Sequence, residues 1–129
     1  METRRSPRVP ISLSIISKVD LQPGQKFSLS EGDIFKAEAA DISISGIGVT
    51  SKYFLPAGLY IKLEIDGKPF GLKEPMKIKG RVRYSKFIRG QGYRCGLEFT
   101  DILPEYTAKI AEFINIYERR KDPRIKLAE

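Results

Sequence analysis

The chain has 129 residues, of which 41% are hydrophobic and 30% charged, a composition that suits one soluble domain with a modest core and leaves no room for a second. It contains no histidine and a single cysteine, Cys95, which excludes an internal disulfide and a multi-cysteine zinc site and removes the commonest metal ligand and general base. The net charge of +7 is concentrated in one place: seven basic residues and no acid lie between Met76 and Leu97, equal to the whole excess.

The opening "METRRSPRVP" carries charges but no apolar signal segment. No run anywhere approaches the roughly 18 apolar residues that a membrane span requires, so a cytoplasmic setting is expected. "VPISLSIIS" places Ile11, Leu13 and Ile15 on one face and predicts a strand over residues 9 to 18, followed by a turn at "VDLQPGQ". "IFKAEAADIS" sets Phe35, Ala37 and Ala39 against Lys36, Glu38 and Ala40 and leads into "DISISGIGV". That stretch has strand alternation but places an aspartate, two serines and two glycines where a strand prefers bulk. Asp41 and Ser43, two apart, are expected on one face, while Gly46 and Gly48 allow a bulge, a turn or a close approach.

"LYIKLEID" is the cleanest alternation, with Leu59, Ile61, Leu63 and Ile65 inward and Asp66-Gly67 closing it as a turn. Glu64 and Asp66 share its outer face beside Lys62, the expected pattern of a solvated surface. Residues 67 to 75 predict a loop. In "KIKGRVRY" the cations Lys77, Lys79, Arg81 and Arg83 alternate with Ile78, Val82 and Tyr84, so a strand would show all four cations on one face. "RGQG" predicts a turn and "YRCGLEF" a last strand with Cys95 directed at the core or a strand neighbour. Pro104 then opens an amphipathic helix through "PEYTAKIAEFINIYERRK", with Tyr106, Ile110, Phe113, Ile114 and Tyr117 on one face and an end near Lys121 imposed by Pro123. Short strands with turn signals and no helix between them suggest a mostly β fold, an antiparallel barrel or sandwich over residues 9 to 100, followed by a C-terminal helix over 102 to 121. An arginine-rich arm (1 to 8) and a basic tail (122 to 129) flank it, all in one domain.

Arg4 and Arg8 are separated by three residues just ahead of the first strand, with Arg5 in the spacer. Taken alone the arginines read as a solvated terminus, and Asp41, Ser43 and Gly46 as a bulge. In this order, however, an RxxxR arm, a strand, DxSxxG about 30 residues on, and a late strand carrying Gly96 to Phe99 before a helix resemble the PilZ family of cyclic di-GMP receptors. The resemblance covers residues 4 to about 117 and implies a small antiparallel, Greek-key-like β-barrel of about six strands followed by the helix, and a non-enzymatic nucleotide receptor without metal or cofactor. It places Arg4, Arg5 and Arg8 against guanine edges or phosphates, Asp41 as acceptor from a guanine N–H, Ser43 as a hydroxyl partner, and Gly46 as a point of close approach. Arg94, just before Gly96, is the basic-segment residue expected nearest the ligand.

The resemblance further implies that binding orders the arm and changes a surface read by an effector protein, of motility, pilus or exopolysaccharide machinery. Other readings stay open: a PilZ-like interaction adaptor that binds no nucleotide, and a basic barrel that binds RNA or single-stranded DNA. The basic strand is a solvated face, a wall of the site, or a docking patch for an acidic partner or nucleic acid. "ERRKDPRIKL" repeats an arginine spacing at Arg120 and Arg124, either as a basic helix end complementing the dipole or as a second anion clamp.

Overall fold

The computed structural model describes residues 7–30 and 32–121. Six strands, β1 (Val9–Val19), β2 (Ile34–Ile42), β3 (Gly46–Ser51), β4 (Tyr60–Ile65), β5 (Met76–Ile88) and β6 (Gly92–Asp101), precede one helix, α1 (Pro104–Lys121). Every pairing is antiparallel, and the strands close into a barrel in the order β1-β2-β3-β6-β5-β4. Two three-strand meanders are thus joined edge to edge, and the spatial run β3-β6-β5-β4 is a Greek key, in line with the barrel that the resemblance implies. Closure leaves no edge strand exposed.

The alternation seen in the sequence fills the barrel. Ile15, Ile42, Ile47, Ile61, Ile65, Met76 and Leu97 are all buried to 2% exposure or less, packed at the density at which removal of a single methylene is felt. Lys77, Lys79 and Arg83 are exposed and Arg81 half-buried, while Ile78, Gly80 and Val82 face inward, so the four cations share the outer face as expected. Tyr84 departs from its expected inward place. The pairing shifts register between Val82 and Tyr84, and the extra residue, Arg83, reverses the parity of the strand. Tyr84 is turned out and Ser85 inward, against Cys95.

The expected loop over 67 to 75 contains a 3-10 turn at Lys68–Phe70. Asp66 Oδ1 accepts from the Lys68 backbone N–H at 3.0 Å, and Phe70 is buried. That ring meets Phe113 of α1 at a centroid distance of 4.9 Å. With Ile110 and Ile114 buried beside it, the apolar face of α1 is anchored against this turn. Cys95 is fully buried, and its Sγ lies 3.3 Å from the Ser85 hydroxyl. Burial pushes the thiol above its ordinary range and the Ser85 hydrogen bond pulls weakly the other way.

Candidate functional site

An added residue in β2 creates the site. Phe35, Ala37 and Ala39 point into the barrel, and strict alternation would send Asp41 after them. The β2–β3 pairing instead shifts register between Ala39, opposite Val49, and Asp41, opposite Gly48. Ala40 is the surplus residue of this bulge, so Asp41 emerges on the outer face and Ile42 returns to the core. The neighbouring pairs extend the row across the sheet: Pro10 faces Asp41, Gly48 faces Gly96, and Gly96 faces Tyr84. The result is a shallow trough on β2, β3, β6 and β5 whose floor is two glycines. An Asp41 carboxylate stands on one side and the Tyr84 ring leans over Gly96 from the other.

Two arginines from distant parts of the chain close on that carboxylate. Arg8 Nη1 donates to Asp41 Oδ1 at 2.6 Å, and Arg94 Nη2 donates to Asp41 Oδ2. The side chains are partly withdrawn from water, with 27% of Arg8, 37% of Arg94 and 21% of Asp41 exposed. Arg94 Nε is buried without a hydrogen-bond partner among the described residues. A guanidinium carries five N–H groups, so single bonds to Asp41 leave both forks with donors for a further acceptor. The trio holds a net positive charge over Gly48, and the Tyr84 ring lies beside it over Gly96. A planar ligand with an acceptor edge or a phosphate suits such a surface.

The remaining expected residues fall into different places. Ser43 is 1% exposed and does not share a face with Asp41, because β2 ends at Ile42 and the period of two ends with it. Its hydroxyl accepts from the Ser45 and Gly46 backbone N–H groups, each at 3.2 Å, while its own N–H donates to the Gly46 carbonyl at 2.9 Å. Ser43 therefore shapes the hairpin between β2 and β3. Gly46 has no left-handed φ; its missing side chain makes room for the Leu97 carbonyl and for Arg8, whose Nη2 would lie 3.5 Å from a β-carbon there. Arg120 is exposed near the end of α1. Arg4, Arg5 and Arg124 lie outside the described residues.

Gly48 was visible in the sequence as a glycine without being a candidate for the site. A β-carbon on it would sit 2.8 Å from Asp41 Oδ1 and 3.1 Å from Arg94 Nη2, so its bareness is what lets the trio assemble. Its signal was the spacing of Gly46 and Gly48, two apart on one strand, which predicts an outer face with no side chains.

A family model described as PilZ domain matches residues 2–115. No curated protein matches. Among solved structures the chain is similar to the Bacillus subtilis inhibitor of motility MotI/DgrA, with 16% identity over 95% of this chain and 55% of that one and a TM-score of 0.71. It is also similar to YcgR of Escherichia coli in complex with c-di-GMP, with 15% identity over 98% of this chain and 50% of that one and a TM-score of 0.62. A third is the K. pneumonia MrkH–c-di-GMP complex, with 15% identity, coverages of 95% and 57%, and a TM-score of 0.64. The chain spans about half the length of these structures, and at such identities the likeness is one of fold. The family match takes in the Arg8 entry, the Asp41 hairpin and all six strands, and on that match the chain belongs to the PilZ domain family.

Proposed function

We propose that this chain is a receptor domain for cyclic di-GMP and acts by binding rather than catalysis. The observation that carries the reading is the convergence of Arg8 and Arg94 on Asp41 above the Gly48–Gly96 floor. Family membership supports it, as do the YcgR and MrkH structures, which hold c-di-GMP.

The chemistry of the ligand matches the groups present. Guanine offers O6 and N7 as acceptors along one edge, which an arginine fork engages in bidentate fashion, and its N1–H and N2–H donate to a carboxylate. Arg8 takes a guanine edge or a phosphate, Arg94 the neighbouring acceptor, and Asp41 exchanges part of its arginine contact for the guanine donors. Ser43 and Gly46 keep the hairpin in the shape that presents Asp41. Arg4 and Arg5, four and three residues ahead of Arg8 in the sequence, supply further donors for the phosphates. Ligand binding thereby favours one arrangement of arm and barrel, and an effector protein reads the composite surface.

Titration of the purified protein with cyclic di-GMP beside GTP and a short oligonucleotide tests this. Saturable binding to the dinucleotide alone agrees with the proposal; preference for the oligonucleotide, or no binding, would sink it.

A further inference from the structure

On the wall of the barrel away from the Asp41 trough, β1, β4 and β5 bring three lysines into one row. Lys18 pairs with Lys62, and Lys62 pairs with Lys79. Neighbouring strands run about 4.7–4.9 Å apart, and like charges placed directly opposite destabilise a sheet. Two flanking carboxylates offset only part of that repulsion. Asp101 faces Lys79 and Glu64 faces Lys77, yet among the described residues no ion pair joins any of these lysines to an acid.

The row also crosses a groove. A cavity of about 550 Å³ runs over this face, and its apolar lining includes Ile16, Ile34 and Leu103, which are 48%, 59% and 53% exposed. Ile34 and Lys18 are register partners, so aliphatic and cationic groups alternate along the same surface. The lining sets four lysines against two acids, Glu64 and Asp101, so the wall keeps a local positive excess beside more exposed aliphatic surface than a merely solvated face requires.

We infer that this groove is the docking site of an acidic amphipathic helix on a partner protein. Carboxylates one helical turn apart repeat every 5.4 Å, close to the strand spacing that separates Lys18, Lys62 and Lys79. A helix lying across the strands would set one acid on each lysine and its adjoining apolar residues on Ile16, Ile34 and Leu103. The exposed aliphatics favour this occupant over a nucleic acid, whose phosphates would leave them uncovered, and the groove lining contains no aromatic ring on which a base would stack. A concave floor is likewise poorly shaped to enter a lipid surface. The inference stands apart from the nucleotide reading, which uses Arg8, Asp41 and Arg94 over β2, β3 and β6 and only the Tyr84 end of β5.

The test uses a fluorescent helical peptide with Glu at every fourth position flanked by Leu, its Glu-to-Gln counterpart, a phosphatidylglycerol vesicle and a single-stranded oligonucleotide. Each is titrated against the full chain and against two variants of equal charge change, Lys18→Gln/Lys62→Gln and Lys86→Gln/Arg89→Gln. The acidic peptide should bind best to the wild type, weaken about tenfold in the Lys18/Lys62 variant and change only slightly in the other, as local rather than net charge would dictate. The melting temperature of the Lys18→Gln/Lys62→Gln variant should equal or exceed that of the wild type, because a repulsion has been removed. Equal loss in both variants, tighter binding of vesicle or oligonucleotide, indifference to the Glu-to-Gln change, or a lower melting temperature in the Lys18/Lys62 variant would overturn it.

Discussion

The Asp41 carboxylate occupies the space that a side chain on Gly48 would need, 2.8 Å from the position of its first atom. Gly48 has no left-handed φ, so alanine there strains no backbone, and its effect is confined to pushing Asp41 and Arg94 apart. Gly48→Ala is expected to weaken cyclic di-GMP binding about tenfold or more, ~1.4 kcal/mol, while the barrel stays folded. Calorimetric titration beside circular dichroism checks both halves; full affinity in the folded variant would separate the trio from the ligand.

Asp41→Ala removes the acceptor shared by two arginines. The pairs are partly exposed, so their contribution to stability is small, about 0–1 kcal/mol. Their contribution to binding is larger, because a charged partner lost from a desolvated contact costs about 2–5 kcal/mol, and less where water enters. The expected result is a nearly unchanged melting curve with binding lost or reduced by more than about thirtyfold. A large fall in melting temperature would instead make Asp41 a structural residue.

For Ser43→Ala the order of effects reverses. The hydroxyl is buried and holds the Ser45 and Gly46 N–H groups, and stranding buried donors costs about 1–3 kcal/mol. Denaturant unfolding should show that loss directly, and any weakening of ligand binding should shrink when the hairpin is stabilised by cooling. Unchanged stability with strongly reduced affinity would return Ser43 to the ligand's own contacts.

Much of this was legible in advance because period-two alternation survives wherever pairing is regular. "LYIKLEID" and "KIKGRV" show their inward faces without ambiguity, and the helical spacing from Tyr106 to Tyr117 does the same for α1. The bulges were not legible. Ala40 and Arg83 become surplus only relative to the strands opposite them, and single residues in one strand carry no mark of that. Yet Ala40 decides that Asp41 faces outward and Arg83 decides that Tyr84 does. Ser43 was misplaced for a related reason: alternation was extended past the end of β2. The lysine row on β1, β4 and β5 belongs to the same class, since it exists only in the register.

Cys95 offers an independent check on the core. Its thiol is fully buried beside Ser85 and burial raises its ionisation above the ordinary range, so little thiolate forms at pH 8. An aromatic disulfide reagent should leave the native protein unmodified on the scale of hours and label it at once in denaturant. The unfolded chain ionises first as pH rises, so the contribution of this group to stability is intact below the ordinary thiol range, about 8.5, and falls as pH climbs from there through the raised native value.

The two arginine motifs make competing claims on one ligand. Arg8 leads into β1 and already meets Asp41, whereas Arg120 lies exposed at the far end of α1. Arg8→Ala should therefore reduce affinity strongly and Arg120→Ala/Arg124→Ala leave it within about twofold, less than ~0.5 kcal/mol. The opposite ranking would move the clamp to the C-terminal segment.

Recognition of guanine by the Arg8–Asp41–Arg94 surface, as proposed, should show as discrimination between cyclic dinucleotides. In the proposed site the guanine N1–H and N2–H groups are the donors to Asp41, and adenine offers neither donor on that edge in the same arrangement. The most direct measurement is a calorimetric titration of the wild-type chain with cyclic di-GMP and, in parallel, with cyclic di-AMP, which has the same phosphates and charge. The account predicts saturable binding of cyclic di-GMP and at least hundredfold weaker binding of cyclic di-AMP, about 2.7 kcal/mol of discrimination; equal affinity for the two, or no binding of cyclic di-GMP, would contradict it.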